Sequence, residues 1–88
     1  MRVQRIRVSR KFEKQYRKIE REIKDIAKQK ELIFRESPFA PRLKTHKLSG
    51  EEKDAWAFWI NYSYRIKFIF LSDGEVLFLE IGKHDIYK

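Results

Sequence analysis

Apolar residues recur through the first third of the chain at helical spacing. Phe12, Tyr16, Ile19, Ile23 and Ile26 follow one another at steps of four, three, four and three, which draws a single stripe along a helix of 3.6-residue period. Arginine, lysine and glutamate fill the other positions. Before the stripe, Val3, Gln4, Arg5, Ile6, Arg7 and Val8 alternate as a short strand does, and Ser9 is placed to cap the helix that follows. No glycine or proline interrupts the pattern before Pro38. An unbroken helix from Ser9 to Ser37 would be about 42 Å long, whereas a compact chain of this length has a radius of gyration of about 12 Å. The spacing therefore predicts a helical hairpin kinked near Glu20 to Asp25, with its stripe against a sheet. One long coiled-coil-like helix is the alternative.

The second half reads as strands. Ala55 to Ile60 and Tyr64 to Leu71 are joined by Asn61-Tyr62-Ser63, and Glu75 to Ile81 follows the Asp73-Gly74 pair, a hairpin signal. Alternation assigns Trp56, Phe58, Ile60, Ile66, Phe68, Phe70, Leu77, Leu79 and Ile81 to a face that packs on the helices. The other face takes Ala57, Trp59, Arg65, Lys67, Phe78 and Glu80, and by parity reaches Gly82 and His84. Aromatic rings, cations and one acid on a single face suit stacking on bases and pairing with phosphates. Between the halves, residues 37 to 54 form a connection carrying Pro38, Pro41 and Gly50 and the bases Arg42, Lys44, His46 and Lys47. Long ordered connections in small domains are often functional. The fold class is α+β: an N-terminal strand and a helical hairpin on a small, mainly antiparallel four-stranded sheet, forming one domain over residues 1–88.

Composition narrows the function. A net charge of +8 over 88 residues favours nucleic acid, the ribosome or an acidic protein as partner, because cations gain affinity by releasing counterions from phosphates. An aromatic content of 15% argues against a disordered basic tail. With no cysteine, disulfides, thiolate nucleophiles and cysteine-based zinc sites are excluded. No apolar run approaches the roughly 20 residues of a membrane span, and the charged start lacks the apolar core of a signal peptide. The expectation is a cytoplasmic protein with no membrane partner and no cofactor.

Both histidines, His46 and His84, sit beside lysine. Thr45-His46-Lys47-Leu48-Ser49-Gly50, Tyr64-Arg65-Ile66 and the terminal Ile81-Gly82-Lys83-His84-Asp85-Ile86-Tyr87 together resemble the RelE/ParE toxin superfamily, and most of all its YafQ-like messenger-RNA interferases. The likeness runs over essentially the whole chain, although its specific motifs are short. It implies the toxin of a type II toxin–antitoxin system, a metal-independent endoribonuclease that cuts messenger RNA in the ribosomal A site. It also implies a cognate acidic antitoxin as partner, in a toxin–antitoxin hetero-oligomer. On the matching positions His84 is catalytic, His46 belongs to the site, Arg65 binds phosphate, and Tyr87 stands for a C-terminal aromatic. The chain departs from the family where a further histidine becomes Trp59, where an acid becomes Ser63 or a neighbour, and where two lysines would fall near Ala57 and Trp59. Glu80 or Asp85 are possible substitutes.

Metal-free cleavage of RNA activates a 2′-hydroxyl, stabilises charge on phosphorus and protonates the leaving 5′-oxygen. Histidine suits the proton steps because both its forms exist near neutrality, so His84 is the first choice for acid or base and His46 its partner or an orienting group. Arg65 would hold the scissile phosphate with planar donors. Lys44, Lys47 and Lys83 would supply the phosphate field, and Trp59 a stacking surface. Each has a plainer reading: His84 a solvated residue, His46 a loop residue bonded to backbone, Arg65 a cross-strand partner of Glu80, Tyr87 a packing staple. The two histidines lack the acid or thiolate company of a metal site. Two other functions remain open, a ParE-like DNA gyrase poison and an RNA-binding module without catalysis. A proton-transfer group after the last strand favours the nuclease over the poison.

Overall fold

The alternating and helical patterns resolve into a sheet with two helices on one face. The computed structural model describes residues 2–50 and 54–83. In chain order these form β1 (Arg5–Val8), α1 (Arg10–Lys18), α2 (Arg21–Glu36), a single 3-10 turn at Pro41–Leu43, β2 (His46–Lys47), β3 (Ala55–Trp59), β4 (Tyr64–Ser72) and β5 (Glu75–Lys83). The strands lie in the order β1-β5-β4-β3-β2. β1 is parallel to β5, and every other pair is antiparallel. The α+β class holds, with five strands in place of four. The added strand is two residues long, too short for alternation to reveal it. No helix among the described residues is long and apolar enough to cross a membrane.

Ser9 does what its position suggests. Its hydroxyl accepts from the Phe12 amide at 3.0 Å and donates to the Leu79 carbonyl at 2.8 Å, while its own amide donates to the Phe78 carbonyl at 3.0 Å. The cap thus starts α1 and fastens it to β5 in one step. The helices part at Ile19 and Glu20, both in extended backbone, at the N-terminal edge of the expected kink. No helix breaker causes this. The break instead lets Phe12 on α1 and Ala27 and Phe34 on α2 reach one core. Phe34 is fully buried, stacked on Phe58 at 4.7 Å and edge-on to Phe68 at 4.9 Å and Phe78 at 5.7 Å.

β5 departs from simple alternation. Phe68 pairs with Phe78, yet the preceding Lys67 pairs with Glu80, so Leu79 is an extra residue bulged out of the ladder. Val76 and Phe78 face the helices before the bulge and Ile81 faces them after it, and all three are buried. The expected faces of Leu77, Leu79 and Phe78 are corrected accordingly. A bulge shifts parity by one, and alternation read from sequence carries no sign of it.

The bulge sets Glu80 opposite Lys67 on the face away from the helices. The Lys67 ammonium lies 2.8 Å from Glu80 Oε2, and Lys11 of α1 reaches Oε1 at 3.1 Å. Burial pushes the Glu80 carboxyl up, but hydrogen bonds and charge from Lys67 and Lys11 outweigh this and hold it below the usual carboxylate range.

Two predictions follow from this packing. Phe34→Ala leaves a ring-sized void and should cost about 3–5 kcal/mol in denaturant unfolding; an unchanged midpoint would place the core elsewhere. A carboxyl whose folded value is depressed contributes stability that is complete above its unfolded value of about 4.3 and is lost as pH falls through the folded value. Glu80→Gln should therefore flatten the loss of stability below about pH 4.3, read from denaturant midpoints across pH. An unaltered acid limb in that variant would remove Glu80 from the account.

Candidate functional site

β4 is the middle strand of five, so its outward cations are hemmed in on both sides. Arg65 and Lys67 are the buried charged residues of the described structure, at 6% and 7% exposure. Lys67 is held by Glu80. Arg65 is held by the turn between β3 and β4. Its Nη1 donates to the carbonyls of Asn61 at 2.8 Å, Tyr62 at 2.7 Å and Tyr64 at 3.2 Å. Its guanidinium carbon lies 3.9 Å from the centre of the Trp59 ring, within cation–π range. Its Nε is buried with no hydrogen-bond partner among the described residues, a cost of about 1–3 kcal/mol for a polar group taken from water. Across the ladder stands Gly82, which puts no side chain against Arg65.

The loop before β2 brings two more groups to this end of the sheet. Leu43 is fully buried and anchors the 3-10 turn. Lys44, directly after it, takes a left-handed backbone at φ 51°, a conformation that costs a residue with a Cβ about 1–2 kcal/mol. Its ammonium stands 4.8 Å from the centre of the Trp59 ring, and its carbonyl meets His46 Nδ1 at 2.9 Å. In that contact the ring nitrogen donates and the carbonyl accepts. His46 pairs with Ala57 in the ladder, and Ala57 with Lys67, which places His46 on the outward face with Trp59, Arg65 and Lys67. The Thr45 hydroxyl donates to the Pro38 carbonyl and ties the loop back to the end of α2.

Of the positions singled out from sequence, His46, Arg65, Trp59 and Lys44 come together here. Lys47 does not, since it pairs with Trp56 on the opposite face. Lys83 ends β5 opposite Tyr64, also on the helix side, and is exposed. His84 and Tyr87 lie outside the described residues. Arg65 does not pair with Glu80, because the bulge gives that acid to Lys67.

One residue of the site is absent from the sequence reading. Tyr62, at the tip of the Arg65-bound turn, is 81% exposed, with its ring edge-on to Trp59 at 6.1 Å. An aromatic ring in a tight hairpin turn, where small polar residues are the rule, is the signal that marks it.

A cavity of about 440 Å³ lies on the other side of the molecule, among Ile6, Phe12, Tyr16, Ala27, Ile66 and Phe78. Its floor is apolar and its lining carries no histidine.

No family model matches this chain, and no curated protein matches its sequence. Solved structures do match in shape. The YoeB/ParE toxin from Agrobacterium tumefaciens superposes with a TM-score of 0.77 at 14% identity, over 92% of this chain and 99% of that one. YafQ from E. coli strain BL21(DE3) gives 0.72 at 24% identity, over 94% and 97%. A chain of the archaeal RelE–RelB complex from Pyrococcus horikoshii OT3 gives 0.70 at 17% identity, over 94% and 96%. Two helices on one face of this sheet, with the first strand parallel to the last, give the chain the fold of the RelE/ParE toxin superfamily.

Proposed function

We propose that this chain is the toxin of a type II toxin–antitoxin pair and acts as a metal-independent, ribosome-dependent endoribonuclease on messenger RNA in the A site. The observation that carries the reading is the outward face at the end of β3, β4 and β5. There His46, Arg65, Trp59 and Lys44 converge, and catalysis depends on proton-transfer groups and cations placed together in this way. Solved complexes of this fold, RelE–RelB and DinJ–YafQ, support an antitoxin as partner. An acidic segment complements a chain of net charge +8. Such a toxin works in the cytoplasm, where its ribosomes are.

In this reading His84 and His46 divide the proton steps. Attack by the 2′-hydroxyl needs a base, and departure of the 5′-oxygen needs an acid, and imidazole serves either near neutrality. Arg65 has its Nη1 engaged by three carbonyls, so it meets a phosphate only with the rest of its guanidinium. Lys44 and Lys83 add field from the rim, with Lys47 contributing from the opposite face, and the family resemblance gives Tyr87 the part of the C-terminal aromatic. A second reading, an RNA-binding relative that does not cut, is favoured by one feature. The most buried cations of the face are already engaged, Lys67 by Glu80 and Arg65 by backbone.

The test is controlled expression with messenger-RNA ends mapped by primer extension, and gyrase supercoiling assayed in parallel. The nuclease reading expects new 5′ ends within translated messages, abolished by His84→Ala while thermal unfolding of the variant stays native. Arrested growth with intact messages would contradict it, and inhibited supercoiling in that case would favour the gyrase poison.

A further inference from the structure

We propose that Tyr62 is the stacking surface for an unpaired base of single-stranded RNA, held out from the sheet on a turn that Arg65 keeps rigid. The inference rests on the RNA-directed reading above and adds to it the residue that meets a base.

Trp59 is the ring that sequence reasoning nominates for stacking, but its indole is already occupied. Arg65 lies 3.9 Å from its centre, Lys44 4.8 Å, and the edge-on ring of Tyr62 6.1 Å. Trp59 is the hub on which these groups are arranged. Tyr62 is 81% exposed, against 48% for Phe39, the next most exposed aromatic among the described residues. Phe39 moreover packs on Trp56 and Phe70. Among the described residues, Tyr62 is the aromatic that offers an open ring beside the cations.

The turn beneath it is fixed more firmly than a solvated hairpin requires. Asn61 Oδ1 accepts from the Ser63 and Tyr64 amides at 2.9 and 2.8 Å, and the Ile60 amide donates to the Tyr64 carbonyl at 2.9 Å. Water would satisfy the carbonyls of an exposed turn without help. Here a buried guanidinium does so instead, and leaves its own Nε unpaired. Unpaired buried groups persist where a surrounding arrangement over-determines them, commonly at functional sites. What this one achieves is an outward tyrosine on a backbone that does not have to be ordered on binding, which removes part of the entropic cost of association.

The chemistry selects the occupant. A base needs one flat face and nearby cations for its phosphates. A peptide side chain needs a pocket, and the apolar cavity lies away from Tyr62, on the helix side. In this arrangement Arg65 is a positioning residue for Tyr62 and Trp59.

The experiment is a binding titration of the full chain with a labelled single-stranded oligoribonucleotide, with an abasic oligomer of equal length, and with an acidic peptide. Tyr62→Ala should weaken binding of the base-bearing strand by about 5- to 150-fold, the range of one lost stacking contact. Tyr62→Phe should bind as the native chain does, because the ring is kept. The abasic oligomer should bind native chain and Tyr62→Ala alike, with one salt dependence, since no phosphate contact is lost. Native affinity in Tyr62→Ala overturns the stacking role while leaving a cleaving native chain intact as a nuclease. Equal losses on abasic and base-bearing strands overturn it too, as a charge or folding effect. A native chain that takes the acidic peptide and no RNA overturns the stacking role, while the mapping of messenger-RNA ends decides the nuclease reading separately.

Discussion

An extra residue in β5 governs much of this structure. Without the bulge at Leu79, the register that pairs Phe68 with Phe78 would set Lys67 against Leu79, leaving a buried ammonium beside an aliphatic chain. Taking a charge out of water without a partner costs several kcal/mol, far more than one bulged residue. The bulge exchanges Leu79 for Glu80 and so supplies the carboxylate. By the same step it places Gly82, rather than Ile81, across from Arg65, and returns Ile81 to the core. One insertion thus reconciles an apolar face with a charged one on the same central strand.

That solution shapes the candidate site. Lys67 and its acid form a neutralised floor tied to α1 through Lys11. The groups nearer the rim are differently placed: Arg65 under its turn, Lys44 in a left-handed backbone over Trp59, His46 on the short β2. The site is assembled from a strand end, a hairpin turn and a loop, with Lys44, Arg65 and Tyr62 arranged about Trp59. Lys44 and Arg65 flank Trp59 at this end of the sheet, and the helix side holds the apolar groove, bordered by Arg17, Lys28 and Arg35.

What the sequence makes legible follows from the range of each interaction. The helical stripe from Phe12 to Ile26 and the hairpins around Asn61 and Asp73 are local patterns, and they appear where expected. Arg65, Trp59 and His46 fall on one face because the β2–β3 and β3–β4 ladders run in regular register through them. The faces of Leu77, Leu79 and Phe78 were not legible, because the bulge that inverts them answers to Lys67, a residue on another strand. β2 was hidden by its two-residue length, and with it the turn of Lys47 toward Trp56. Tyr62 was overlooked because its use depends on a guanidinium beneath the turn, which no spacing reveals.

The central claim is that RNA meets the outward face at the end of the sheet. The most direct test is a residue-resolved NMR titration of the full chain with single-stranded RNA. The account predicts that the amide signals of Lys44 to His46, Trp59 and Asn61 to Arg65 shift on binding, while those of α1 and α2 around the apolar groove stay in place. Shifts confined to the helices and the groove, with the Trp59–Arg65 end unmoved, would contradict it.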